Sequence, residues 1–107
     1  FNWAQELQKF APQISFYTYY GGNRDWDKAD NADVILTTYS VLRNDIEELR
    51  EKDFHMVVLD ESQNIKNLNS RTARAALLLR SDCRFALSGT PIENNIGELY
   101  ALFRFLN

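Results

Sequence analysis

Three short polar segments stand out because each directly follows an apolar run that has the character of a β-strand. The segments are Thr37-Thr38-Tyr39, Asp60-Glu61-Ser62-Gln63 and Ser88-Gly89-Thr90-Pro91. Ligands of open parallel sheets bind beyond the carboxyl ends of the strands. A helix is predicted to follow each segment, so all three are expected to converge along one rim of a sheet and to form a functional site there.

The acidic pair Asp60-Glu61 follows the run Met56-Val57-Val58-Leu59 and has the form of a Walker B segment. In such a segment one carboxylate binds a magnesium ion, and the next carboxylate positions a water molecule for attack on a phosphate. Adjacent carboxylates in a half-buried site repel each other unless a cation or donors compensate, which favours a function for the pair. A structural alternative stays open for the pair alone: an Asp that caps a helix, followed by a first-turn Glu that the helix dipole stabilises.

The elements that must position these segments follow from the hydrophobic periodicity. Helices are predicted to begin at Asn2, Ser40, Ser70 and Asn95. Strands are predicted over 14–20, 33–38, 55–60 and 83–88, with a polar loop at 24–31. The continuous apolar run 56–59 predicts burial on both faces of its strand. Alternating strands and helices predict an α/β fold of three layers, with a mostly parallel sheet and helices on both of its faces.

Composition limits the class of protein. The 107 residues amount to one domain or a piece of one, and the content of 45% hydrophobic and 13% aromatic residues excludes intrinsic disorder. The net charge of −3 means that any nucleic-acid contact must come from local patches and backbone amides. No apolar run is long enough for a membrane span. The chain starts at Phe1 and proceeds at once into a predicted helix, so we expect it to be an excised fragment.

In their context the polar segments resemble helicase motifs II and III of the Swi/Snf family of DNA-dependent ATPases. Residues 58–67 resemble motif II, residues 87–94 resemble motif III, and residues 34–39 are similar to the preceding threonine motif. Weaker likenesses lie at Asn2-Trp3, Tyr20-Gly21, Arg24 and 102–107. The resemblance therefore covers essentially the whole chain. It implies that residues 1–107 are the C-terminal portion of the first RecA-like ATP-binding lobe.

The resemblance implies a role in ATP chemistry for each matching residue of motifs II and III. Asp60 would hold magnesium through water, and Glu61 would act as the hydrolytic base. Gln63 would link the nucleotide site to motif III or to the opposing lobe. The motif III segment would adjoin the nucleotide and couple its state to movement between the lobes; its residues are Ser88, Gly89 and Thr90.

A second set of residues is implied to contact DNA. Thr37 and Thr38 would donate hydrogen bonds to a DNA phosphate, since hydroxyl and backbone donors commonly bind phosphate oxygens. The further DNA-binding candidates are Tyr39, Arg24 and Lys66. For the two threonines the alternative is β-branched strand packing, and for Lys66 it is a solvated helix face.

A phosphate-binding loop is missing from this sequence. Such a loop requires Gly-Lys-Ser/Thr, yet none of Gly21, Gly22, Gly89 and Gly97 precedes a lysine. The chain is thus predicted to be a partial RecA-like lobe that lacks the P-loop strand. Alone it should neither bind ATP with magnesium tightly nor hydrolyse it.

The predicted function is part of an ATP-dependent DNA translocase that remodels chromatin or another nucleoprotein. The alternative is a non-catalytic RecA-like half-domain that serves as a protein-interaction module. A third reading, a small magnesium-dependent phosphatase or receiver-like domain, explains neither the threonine motif nor motif III.

The predicted partners follow from the same resemblance. They are double-stranded DNA, a second RecA-like lobe of the same chain and a DNA-bound protein substrate, with no membrane. A bacterial protein of this kind would be in the cytoplasm, associated with the nucleoid. A eukaryotic one would be in the nucleus. In RecA-like lobes the strand that leads into motif III lies beside the P-loop strand, so residues 83–88 should form an unpaired edge. The chain is therefore expected to self-associate.

Overall fold

The computed structural model describes residues 2–22, 24–62 and 70–87. Helices and strands alternate along these ranges, which agrees with the predicted α/β class. The elements are α1 Asn2–Phe10, β1 Phe16–Thr18, α2 Trp26–Asp30, β2 Val34–Leu36, α3 Tyr39–Leu49, β3 Asp53–Leu59, α4 Arg71–Leu78 and β4 Arg80–Ala86. The helix predicted from Asn95 lies outside the described residues. The chain divides into two compact units, Phe1–Val41 and Leu42–Asn107.

In the first unit, β1 and β2 form a parallel pair in which Tyr17 lies beside Ile35. Side chains fix the start of the pair, because Ser15 N–H donates to Asp33 Oδ2 at 3.0 Å and Asp33 N–H donates to Ser15 Oγ at 2.9 Å. At the other end Tyr19 N–H donates to Leu36 O at 2.7 Å. The pairing therefore runs beyond the three residues of each strand.

The predicted loop at 24–31 is wrong in part, because residues 26–30 form the short helix α2. Asp25 is its N-cap: Oδ1 accepts the N–H of Asp27 at 3.0 Å and that of Lys28 at 3.4 Å. Trp26 meets the ring of Tyr19 edge-on, with centroids 5.9 Å apart. Ala29 is fully buried, so this acidic turn of helix has an apolar anchor.

In the second unit, β3 and β4 form the other parallel pair, with Asp53 beside Arg80 and Leu59 beside Ala86. β4 begins at Arg80, three residues earlier than predicted. An exposed ion pair joins Arg80 to Asp53 at 3.5 Å, and the exposed His55 Nδ1 lies 3.5 Å from Asp82 Oδ2. Ion pairs this exposed add little stability, so the backbone ladder holds the strands together.

The expected burial of β3 on both faces is wrong. Met56 and Val58 are 48% and 45% exposed, and Phe85 of β4 is 49% exposed on the same face. Leu59 is buried at the carboxyl end of the strand. The apolar run thus marks one exposed apolar face rather than a strand covered on both sides.

Helices α3 and α4 begin at hydroxyl caps: α4 begins where the sequence predicts a helix from Ser70, whereas the cap predicted at Ser40 is wrong. Ser70 Oγ accepts the N–H of Ala73 at 3.1 Å at the start of α4. At the start of α3 the acceptor is Thr38 Oγ1, which receives the N–H of Val41 at 3.2 Å. Ser40 lies within the helix. None of the helices in the described ranges has the length and hydropathy needed to cross a membrane.

Candidate functional site

The acidic pair lies in a turn that leaves the carboxyl end of β3. Asp60 and Glu61 are both exposed. Asp60 Oδ1 accepts the N–H of Glu61 at 2.9 Å. Glu61 has a φ of 50°, in the left-handed region, and outside glycine it is the one such residue in the described ranges. It therefore lacks the right-handed helical conformation that the first-turn alternative requires.

Leu87 holds the chain on both sides of this turn. Its N–H donates to Leu59 O, and its C=O accepts the N–H of Ser62, both at 2.8 Å. Ser62 is 1% exposed, whereas the two acids before it are exposed. The turn is thus tied at its two ends and directs its carboxylates outward. We call residues 59–62 together with Leu87 the acidic clamp.

Sequence reasoning missed Leu87 as a positioning residue. Its contribution comes from backbone atoms, so its side-chain type carries no signal of it. The available clue was positional: Leu87 is the first residue of the stretch 87–94 that resembles motif III, and the two strands are parallel. The acidic clamp therefore connects the acidic pair through one residue to the start of Ser88-Gly89-Thr90.

The strained backbone at Glu61 is consistent with a functional role. A non-glycine residue in the left-handed region costs about 1–2 kcal/mol, and such residues cluster at active sites. Here the strain is maintained by the hydrogen bonds of the acidic clamp and by the burial of Ser62.

The donor set of the acidic turn fits magnesium. Mg²⁺ prefers oxygen ligands, and a typical nucleotide site supplies one or two carboxylates while waters and phosphates complete the shell. Asp60 offers such a carboxylate at an exposed strand end. The described part of the chain contains no cluster of three or more His, Cys, Asp or Glu residues suited to a metal.

The threonine segment joins β2 to α3 in the first unit, and its two hydroxyls have different tasks. Thr37 Oγ1 donates its proton to Tyr19 O at 2.7 Å. Thr38 Oγ1 is the acceptor that caps α3, so its own proton is not used in that bond. Thr38 is consequently the better placed of the two to donate to a phosphate. Tyr39 is half-buried and opens the helix.

Arg24 is half-buried and is held at the turn that follows β1. Its Nη1 donates to Gly21 O, and its guanidinium lies 6.0 Å from the centroid of the Tyr19 ring. Gly21 has a φ of 84°, which a glycine adopts without strain. These contacts give Arg24 a role in the turn, and its contact with DNA stays a prediction.

Several predicted site residues lie outside the described ranges. They are Gln63, Lys66, Ser88, Gly89 and Thr90. The threonine segment belongs to the first unit and the acidic clamp to the second. Convergence of the three polar segments on one rim therefore stays a prediction.

Comparison of the sequence with known proteins gives matches along its whole length. The profile of the SNF2-related domain family matches residues 1–107. A putative ATP-dependent helicase/translocase of Bacillus subtilis, YwqA, is 43% identical over 113 residues that include 99% of this chain. The helicase SWR1 of Yarrowia lipolytica is 38% identical over 98% of it. The chain spans 12% and 6% of the lengths of these two relatives.

The fold also matches a solved structure. This is the Sulfolobus solfataricus SWI2/SNF2 ATPase core in complex with dsDNA, which superposes with a TM-score of 0.90 at 43% identity. The match covers 99% of the present chain and 22% of that one.

Proposed function

We propose a function from the premise that this chain belongs to the SNF2-related domain family, whose profile spans residues 1–107. The resemblance to Swi/Snf ATPases is thereby confirmed, as is the RecA-like α/β fold class. The chain would form the later part of the first ATP-binding lobe of a longer protein. That protein would be a DNA translocase that uses ATP hydrolysis to remodel protein–DNA complexes.

The observation that carries this proposal is the acidic clamp. One residue, Leu87, bonds to the backbone on both sides of Asp60-Glu61 and is followed directly by Ser88. A shift of the motif III segment would pull on Leu87 and hence on the acidic turn. The clamp thus offers a short path by which nucleotide chemistry and movement of the lobe would influence each other.

In this proposal the two acids have different tasks. Glu61 would accept the proton of the water that attacks the terminal phosphate of ATP, which is general-base catalysis. Asp60 would hold magnesium through water, and that ion, when bound, neutralises phosphate charge. The exposure of both carboxylates suits groups that must meet a ligand.

The DNA contact is proposed for the threonine segment. A hydroxyl at the N-terminus of a helix lies beside backbone N–H groups that favour anions, and Thr38 occupies that position on α3. The relative from Sulfolobus solfataricus was solved with dsDNA, which supports duplex DNA as the ligand. Because phosphate contacts carry no sequence information, binding should show little sequence preference.

The remaining partners and the location are also proposals. A second RecA-like lobe would complete the nucleotide site, and a DNA-bound protein would be the remodelled substrate. The protein would work where its DNA is, in the bacterial cytoplasm with the nucleoid or in the eukaryotic nucleus. The 107-residue chain alone would not hydrolyse ATP, because Asp60 and Glu61 address the metal and the water but not the phosphates.

ATP hydrolysis by the longer protein tests this function directly. We expect a low basal rate that linear duplex DNA of any sequence raises severalfold, and a weaker effect from single strands of equal nucleotide content. Phosphate release at several salt concentrations is the measurement, since contacts with phosphates weaken as salt rises. Hydrolysis that is absent under every DNA condition would contradict the proposal and favour a non-catalytic module.

A further inference from the structure

The charges of this chain are distributed unevenly, and one stretch differs from the rest. Residues 62–81 are the longest run of the sequence without an acid, and they contain four basic residues. These are Lys66, Arg71, Arg74 and Arg80. The other eight basic residues and all fifteen acids lie outside this stretch, so the rest of the chain has a net charge of −7. An anionic polymer is therefore attracted to residues 62–81 and repelled by much of the remaining chain.

Helix α4 presents two of these charges on one exposed face. Side chains three residues apart are neighbours on a helix, so Arg71 and Arg74 lie side by side. Both are exposed, whereas Ala73 and Ala76 on the opposite side of the helix are fully buried. We call Arg71 and Arg74 the arginine face of α4.

The two arginines of this face differ from the third arginine of the stretch in their partners. Arg80 is already engaged, because its Nε lies 3.5 Å from Asp53 Oδ1 and its Nη2 donates to Glu51 O at 2.7 Å. Among residues 2–22, 24–62 and 70–87, by contrast, no acidic side chain forms an ion pair with Arg71 or Arg74. The positive charge of the arginine face is thus not compensated within the described ranges.

Stability of the helix does not account for the arginine face. The first turn of a helix favours acidic side chains, yet α4 has none there and begins with Arg71. Like charges three residues apart also repel each other. No acid of the sequence lies three or four residues from Arg71 or Arg74 to offset this repulsion. A bound anion explains the pair better than a solvated helix surface does.

We propose that the arginine face of α4 binds the phosphate backbone of duplex DNA, as a contact additional to the threonine segment. The inference rests on the proposed function in taking duplex DNA as the ligand. A guanidinium is always charged and presents its N–H donors in a planar fork that matches the oxygens of a phosphate. Three residues of helix rise by about 4.5 Å, and phosphates of one strand are about 3.4 Å apart along the axis. The two arginines are therefore spaced to contact neighbouring phosphates of one strand.

The salt dependence of DNA binding by the longer protein tests this contact. Each phosphate contact that is lost lowers the slope of log affinity against log salt concentration by about 0.9. Arg71→Gln and Arg74→Gln should each lower the slope by about 1, and the double variant should lower it by about 2. The double variant should also bind about tenfold or more weakly at low salt, and equally so for duplexes of unrelated sequence. Fluorescence anisotropy of a labelled duplex measures affinity and slope.

Two sets of variants serve as controls. Lys28→Gln removes an exposed charge from the acidic helix α2 and should leave the slope unchanged. Arg71→Lys combined with Arg74→Lys keeps both charges, so this variant should retain most of the slope that the glutamine variants lose. Circular dichroism checks that every variant keeps its fold. A slope that Lys28→Gln lowers as much as Arg71→Gln does would show an effect of net charge alone and would overturn the proposal.

Chemical modification of the unaltered longer protein gives a second test that needs no variant. Phenylglyoxal reacts with accessible guanidinium groups, and mass spectrometry of peptides locates the modified arginines. Arg71 and Arg74 should react in the free protein, and duplex DNA should slow their modification severalfold. If they do not react in the free protein, another part of that protein covers the face, and the proposal is wrong.

Two further results would overturn the proposal, and neither depends on catalysis. One is a double glutamine variant that binds DNA with unaltered affinity and slope. The other is modification of Arg71 and Arg74 at the same rate with and without DNA. If the longer protein fails to hydrolyse ATP while the slope still falls as expected, the DNA contact of α4 stands and the catalytic proposal fails.

Discussion

The left-handed backbone at Glu61 makes a measurable prediction about stability. With a φ of 50°, any side chain with a Cβ atom is strained there. Glycine removes a strain of about 1–2 kcal/mol from the folded state. It also lowers the free energy of unfolding by about 0.4–1 kcal/mol, because the unfolded chain gains conformational freedom. We therefore expect Glu61→Gly to be more stable than Glu61→Ala by about 1 kcal/mol, with Glu61→Asn between them because asparagine tolerates this conformation.

Urea unfolding of the 107-residue chain, followed by far-ultraviolet circular dichroism, measures the difference. For an unfolding slope of about 1–2 kcal/mol/M, the midpoints of the glycine and alanine variants should differ by about 0.5–1 M. Asp60 is the matched control, because its φ is not positive. There glycine should be less stable than alanine by about 0.5–1 kcal/mol. If Glu61→Ala were as stable as Glu61→Gly, the backbone at this position would not be strained. That result would refute the claim that the acidic clamp holds Glu61 in a strained conformation.

Two further predictions concern ligands. In the longer protein, Thr38→Val should lower duplex-DNA affinity more than Thr37→Val does, because the Thr37 hydroxyl already donates its proton to Tyr19 O. Thr38→Asp keeps the helix cap, but this variant should also bind DNA weakly because its carboxylate repels phosphate. Fluorescence anisotropy across a salt series measures the DNA affinity of each variant. Equal affinities for all variants would show that the two threonines serve only strand packing. Isothermal titration of the 107-residue chain with magnesium-ATP should show no tight binding, because the phosphate loop is absent from its sequence. Micromolar one-to-one binding would contradict that prediction.

The elements that sequence predicted well are those with local signals. Apolar spacing located α1, and the helix predicted from Ser70 to Arg80 is α4, which starts there but ends at Leu78 because Arg80 already belongs to β4. The family followed from motifs II and III, whose residue types are dictated by chemistry rather than packing. Its confirmation rests on a profile match along the whole chain.

The features that sequence missed depend on partners distant along the chain. Charged Arg80 and Asp82 gave no strand signal, yet both belong to β4 because they lie beside β3 and pair with its exposed side chains. The acidic composition of 24–31 hid α2, although Asp25 followed by Ala29 held the clue of a cap and an anchor. The acidic clamp depends on where the end of β4 meets the end of β3. Neither segment alone encodes that register.

The role of Glu61 as the hydrolytic base is the central claim, and one substitution tests it. In the longer protein, with saturating duplex DNA, Glu61→Gln should nearly abolish ATP hydrolysis while ATP binding stays close to normal. The amide keeps the size and polarity of the side chain but cannot accept the proton of the water. Glu47→Gln, at an exposed acid of α3, should leave both quantities unchanged. Turnover of Glu61→Gln at the unaltered rate would contradict the account.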